Sequence, residues 1–108
     1  MNYVTHNQKE IDVDDTCLVG QIVVSYKTLK RIFGKPTDSD GYKSDAEWEI
    51  EFEGGQVATI YNYKDGKNYN GRSGTPKTKI TDWHIGGRTK EVVELIQIVI
   101  NKNGGFDE

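Results

Sequence analysis

From Ala46 to Glu53 apolar and acidic residues alternate without a break, with Ala46, Trp48, Ile50 and Phe52 on one side and Glu47, Glu49, Glu51 and Glu53 on the other. A period of two is the spacing of a strand with one buried face. Gly54-Gly55 comes next, and the chain then runs to Tyr63 rich in β-branched and aromatic residues, so 45–63 reads as a β-hairpin. Two registers are open at the glycines. A two-residue turn pairs Glu53 with Gln56 and puts Val57, Thr59, Tyr61 and Tyr63 beside Trp48. A three-residue turn with Gly55 left-handed pairs Phe52 with Gln56 and puts Ala58 and Ile60 there instead. A slip of one residue turns every side chain over. The second register is favoured, because it stacks Ile60 near Trp48, spares Thr59 from the core and leaves the tyrosine hydroxyls in water.

The remaining elements follow from the same reading. Residues 1–16 are polar and crowded with Glu10, Asp12, Asp14 and Asp15, with Ile11 and Val13 as the alternating apolar positions, an acidic arm or a weak edge strand. Cys17 to Val24 is an apolar run of strand length. Ser25 is placed to cap a helix in which Tyr26, Leu29 and Phe33 repeat at helical spacing until Gly34 and Pro36 stop it. Its outward Lys27, Lys30 and Arg31, followed by Lys35, read as a solvated basic face. A polar loop spans 37–44. Ile80 to Ile85 predicts a strand, with Trp83 and Ile85 on one face and Asp82 and His84 on the other, ended by Gly86-Gly87. Thr89 is the expected N-cap of a second helix, whose Val92, Val93, Leu95, Ile96, Val99 and Ile100 form an apolar stripe that must dock on the sheet. Asn103-Gly104-Gly105 terminates it. The order β-α-β-β-β-α predicts an α+β fold, a two-layer sandwich with a mostly antiparallel sheet and both helices on one face. The division is an acidic N-terminal arm at 1–16, a single α+β domain at 17–103 and a frayed tail at 104–108.

Length and charge narrow the class. At 108 residues the chain suits one domain with one modest core. A net charge of −3 argues against a general DNA or RNA binder and against a polybasic membrane anchor. The single Cys17 cannot form an internal disulfide, no signal peptide is evident, and no apolar run approaches the roughly 20 residues that cross a bilayer, so a cytoplasmic protein is expected.

Chemistry concentrates in 64–79, which has no hydrophobic periodicity and carries Lys64, Lys67, Arg72, Lys77 and Lys79 against Asp65, a local charge of +4. With three glycines and Tyr69, that composition suits an anion. Tyr61, Tyr63 and Tyr69 offer flat rings for stacking, and the glycine pair before Arg88 and Thr89 is a candidate phosphate site at a helix start. Asp82 and His84 share a strand face at a separation that suits a dyad, but no Ser or Cys nucleophile is tied to them by any motif, so they are weak catalytic candidates. His6 and His84 show no metal-ligand spacing, and no metal or cofactor is expected.

Four segments, Phe-Gly-Lys-Pro (33–36), Asp-Gly-Tyr-Lys-Ser-Asp-Ala-Glu-Trp (40–48), Val-Ala-Thr-Ile-Tyr-Asn-Tyr-Lys-Asp-Gly-Lys-Asn-Tyr (57–69) and Ile-Thr-Asp-Trp-His-Ile-Gly-Gly (80–87), resemble those of a family of small proteins encoded by tailed bacteriophages. The resemblance implies an inhibitor of host defence in the host cytoplasm, one that sequesters a nucleotide immune signal or blocks a host protein. At the level of fold alone, the order of elements is also similar to small modules of the β-lactamase-inhibitor-protein type.

The leading expectation is a non-enzymatic binder of a small anionic, nucleotide-like ligand. Tyr42, Tyr61, Tyr63 and Tyr69 would stack. Lys43, Lys64, Lys67 and Arg72 would pair with phosphates, with Arg88 at the helix start. Asp45, Asp65 and His84 would hydrogen-bond ribose or base, and Asn68 completes the set. An inhibitor that presents its acidic arm and glutamate row to a host defence enzyme is the alternative, and a nucleotide-cleaving enzyme using Asp82 and His84 comes third. Homo-oligomerisation is left open.

Overall fold

A computed structural model describes residues 2–37, 46–63 and 70–104. Five strands form one antiparallel sheet: β1 (Tyr3–Thr5), β2 (Cys17–Val23), β3 (Glu47–Phe52), β4 (Val57–Tyr61) and β5 (Asp82–Gly87). Their order across the sheet is β1-β3-β4-β5-β2. Helices α1 (Tyr26–Phe33) and α2 (Glu91–Lys102) pack on one face, so the fold is the expected α+β sandwich, with a short edge strand added at the N-terminus.

The hairpin takes the left-handed glycine register. Gly55 has φ +93°, its N–H donates to the Phe52 carbonyl at 2.8 Å, and the Phe52 N–H donates to the Gln56 carbonyl at 2.8 Å. Ile60 therefore stands opposite Trp48 and Ala58 opposite Ile50. On the helix side these join Ile22, Trp83, Ile85, Leu29, Phe33, Val92, Ile96 and Ile100 in one core. Two tryptophans lie at its centre, 5.4 Å apart edge to face, with Tyr26 packed against both. Each indole N–H finds a carbonyl, Trp48 that of Gly34 at 2.8 Å and Trp83 that of Val24 at 3.0 Å, so neither ring leaves a buried donor unpaired. Ser25 caps α1 as expected, accepting from the Thr28 N–H at 3.0 Å, and Gly34 ends it at φ +86°.

Three expectations are corrected. Strand β5 does not end before Gly86-Gly87 but runs through both, pairing Gly86 with Thr59 and Leu18, and Gly87 with Ala58 and Cys17. These glycines allow close approach on opposite faces: a Cβ on Gly86 would lie 2.5 Å from Thr59 Oγ1, and one on Gly87 would lie 2.5 Å from a Val92 methyl. The N-cap of α2 is Lys90 with no side-chain cap, not Thr89, and Glu91 and Glu94 occupy the first turn, where they complement the helix dipole. Within the stretch read as structureless, two 3-10 turns form at Gly71–Ser73 and Lys77–Lys79.

The first 16 residues enter the fold in ways that their composition does not announce. Tyr3–Thr5 pairs antiparallel with β3, and the Tyr3 hydroxyl donates to the Ile32 carbonyl at 3.0 Å, tying the edge of the sheet to α1. The segment then returns over the second face: Ile11 is only 5% exposed, and Lys9 pairs with Glu51 at 3.1 Å. Thr59, 5% exposed, is buried on this face. Among the described residues no helix is long and apolar enough to cross a membrane.

Candidate functional site

Register fixes what the second face presents. Glu47 of β3, Tyr61 of β4, His84 of β5 and Gln21 of β2 stand in one row across four strands, with Glu49, Thr59, Gly86 and Leu18 in the next. Cross-strand neighbours on one face lie within side-chain contact. Accordingly the Tyr61 ring meets the His84 imidazole edge to face at 5.6 Å, and Tyr63, just past the end of β4, meets the same imidazole in a tilted contact at 5.8 Å.

Beside this cluster lies a cleft of about 260 Å³, lined by Val13, Thr16, Cys17, Glu47, Thr59, Tyr61, Tyr63 and Gly86. Sheet residues make its floor, and the returning N-terminal segment makes one wall. Absence of a side chain at Gly86 leaves the floor open next to Tyr61. The Tyr61 hydroxyl titrates above the ordinary tyrosine range, first because burial disfavours the phenolate and then because Glu47, Tyr63 and Cys17 add negative charge nearby. The cleft can therefore stack a flat ring, donate from the neutral Tyr61 phenol and present the Glu47 carboxylate.

That shift carries a measurable consequence. In the folded chain the Tyr61 phenol holds its proton above the pH of about 10 at which a free tyrosine ionises. Its contribution to stability is thus complete below that pH and falls away as pH rises through the folded value. Phenolate absorbance followed against pH should lose its late step in Tyr61→Phe, after allowing for Tyr3, which burial also raises. In Glu47→Gln the step should move to lower pH.

Of the residues singled out from the sequence, Tyr61, Tyr63 and His84 come together here. Tyr42, Lys43, Asp45, Lys64, Asp65, Lys67, Asn68 and Tyr69 lie outside the described residues. Arg72 is exposed in the first 3-10 turn. Arg88 sits four residues beyond His84, past the far end of β5, roughly 13 Å away at strand rise. There it holds the N-terminal segment, donating to the carbonyls of Asp14 at 3.0 Å and Asp12 at 3.1 Å, with the Asp12 carboxylate at 3.8 Å. The glycines before it are paired on both sides within the sheet, and Glu91 shares the small cleft beside Arg88, so this end of the molecule is not arranged as a phosphate cradle.

Asp82 and His84 share a face, but Asp82 is exposed and no hydrogen bond joins the two among the described residues. The imidazole packs against the Tyr61 and Tyr63 rings and, among the described residues, not against a carboxylate, so the Asp82–His84 hydrogen bond of a dyad is not formed. The glutamate row is only half exposed along β3, and Glu51 is already engaged by Lys9. Sequence reasoning missed Val13, Thr16 and Cys17 as cleft residues. The one signal for them was the spacing of Ile11 and Val13, which marks an arm with a side to bury. No protein-family model and no curated protein matches the chain.

Proposed function

We propose that this chain is a non-enzymatic binder of a small anionic, nucleotide-like ligand, and that it acts as a phage anti-defence protein by withholding such a signal in the host cytoplasm. The observation that carries the reading is the Tyr61–His84–Tyr63 cluster opening on a cleft that also offers Glu47. Stacking on aromatic rings is tolerant of base identity, and a carboxylate accepts from an exocyclic amine or a ribose hydroxyl. At about 260 Å³ the cleft falls just short of the roughly 300–1,000 Å³ of typical ligand sites, which suits one end of a ligand whose other end lies outside. Tyr63, which lines the cleft, is followed in sequence directly by Lys64-Asp65-Gly66-Lys67, so cationic residues are near neighbours of the cleft along the chain. On this reading the base enters the cleft and the phosphates pair with Lys64, Lys67 and Arg72 through charge-assisted contacts.

The test is to incubate the purified protein with a host nucleotide extract, remove free ligand, denature, and identify what is released by mass spectrometry. An unchanged nucleotide is the expected result. Release of a cleaved product overturns the non-enzymatic reading, and a co-purifying host protein with no nucleotide overturns ligand capture in favour of the inhibitor.

A further inference from the structure

The net charge of −3 averages over two unlike layers. Glu10, Asp12, Asp14, Asp15 and the glutamates of β3 belong to the N-terminal segment and the second face of the sheet. Around α1 on the helix layer the distribution is reversed. Helix α1 buries Thr28, Leu29 and Phe33, which turns Lys27, Lys30 and Arg31 outward at i, i+3 and i+4. The turn Lys77–Lys79 packs alongside α1, held by the N–H of Lys79 on the Pro76 carbonyl at 2.8 Å and anchored by the buried Ile80, so that Lys77 and Lys79 are exposed next to the helix. Two basic stretches almost fifty residues apart in sequence thus meet on one surface.

Between them runs a groove of about 390 Å³ lined by Tyr26, Lys27, Lys30, Arg31 and Thr78, with no acidic side chain among the described residues of its lining. Lys27, Lys30, Lys77 and Lys79 have no ion-pair partner among the described residues. Arg31 donates to the Asn103 carbonyl just beyond α2, which holds its guanidinium at the groove edge. Lys27 and Lys30, at i, i+3 spacing, carry like charges on one helix face, and an anion lying along that face would be attracted to both.

We propose that this groove tracks the backbone of a single-stranded nucleic acid. Lys27, Lys30 and Arg31 line the groove and Lys77 and Lys79 flank it, and the four lysines are compact point charges that follow a run of phosphates without demanding the bidentate geometry of a single carboxylate. The floor is the partly exposed ring of Tyr26, held rigid against Trp48 and Trp83, and a basic groove with an aromatic floor is the arrangement that single strands use. The surface lies on the layer opposite the tyrosine cleft, so the inference does not depend on what the cleft holds.

Fluorescence anisotropy with a labelled oligothymidylate at low salt tests it. Binding should weaken with salt at a slope of about −0.7 per phosphate contacted, giving about −2 to −3 for three or four phosphates. Lys27→Glu with Lys30→Glu, and separately Lys77→Glu with Lys79→Glu, should each weaken binding by about tenfold or more at melting temperatures close to the parent's. Should either pair fold poorly, the wild-type protein supplies the second readout: the oligonucleotide should protect Lys27, Lys30, Lys77 and Lys79 from acetylation. Three results overturn the proposal: no binding by the folded wild-type chain at low salt, equal acetylation of these lysines with and without the strand, or tighter binding of polyglutamate than of the oligonucleotide, which would assign the groove to an acidic protein.

Discussion

Trp48→Ala is expected to destabilise the chain by ~3–5 kcal/mol, a large part of the ~5–15 kcal/mol that holds a small domain together. The indole is fully buried, stands 5.4 Å from Trp83 and 5.7 Å from Tyr26, and donates to the Gly34 carbonyl. Truncation removes the transfer energy of the ring, leaves a void between two other rings that are themselves fixed, and strips the end of α1 of one hydrogen bond. Trp48→Phe separates these effects, since most of the packing survives and the lost hydrogen bond alone costs about 1 kcal/mol. Urea unfolding measures both, and a change below ~1 kcal/mol for Trp48→Ala would contradict the burial of this face.

The hairpin was legible because two independent requirements agree there. Strict alternation picks the buried face of β3, and a left-handed glycine at Gly55 then sets which residues of β4 join it. One reason for that register does not survive, however. Thr59 does not escape burial; it is buried on the opposite face, because β4 is the middle strand and is covered on both sides. Alternation says which residues share a face, and it cannot say whether a distant segment will cover the other one. The N-terminal segment does so through Ile11 and through backbone carbonyls held by Arg88, and a donor to a carbonyl leaves no trace in side-chain chemistry.

Glycine pairs explain the other misreading. Gly54-Gly55 makes a turn and Gly86-Gly87 lies within a strand, yet the dipeptides are identical. What distinguishes them is three-dimensional: Thr59 and Val92 press on the second pair from opposite sides, while open space surrounds Gly55. The same limit applies to the site. Tyr61, Tyr63 and His84 could be grouped from strand periodicity once the register was chosen, because they share a face. Arg88 could not be placed, since its distance from His84 depends on β5 continuing through the glycines. Likewise Lys77 and Lys79 were counted with the loop, whereas the fold carries them to α1.

Lys64→Ala combined with Lys67→Ala should weaken binding of the captured nucleotide by at least ~3 kcal/mol, more than a hundredfold in affinity. Charge-assisted hydrogen bonds to phosphate are worth ~1.5–3 kcal/mol each where water is partly excluded, and two are removed. Lys77 and Lys79 lie beside α1 and are not positioned to compensate at the mouth of the tyrosine cleft. Calorimetric titration with the nucleotide released from the wild-type protein reads the loss directly, with thermal melts to show that folding is intact. The inhibitor alternative demands the opposite pattern in a phage-protection assay: the lysine double variant keeps its activity, and Glu49→Lys, on the row facing away from the helices, loses it. Glu47 is unsuitable for that comparison because it lines the cleft itself. Full activity of the lysine double variant at normal expression would remove the anionic end of the ligand from the mechanism, and with it the reading of the chain as a nucleotide trap.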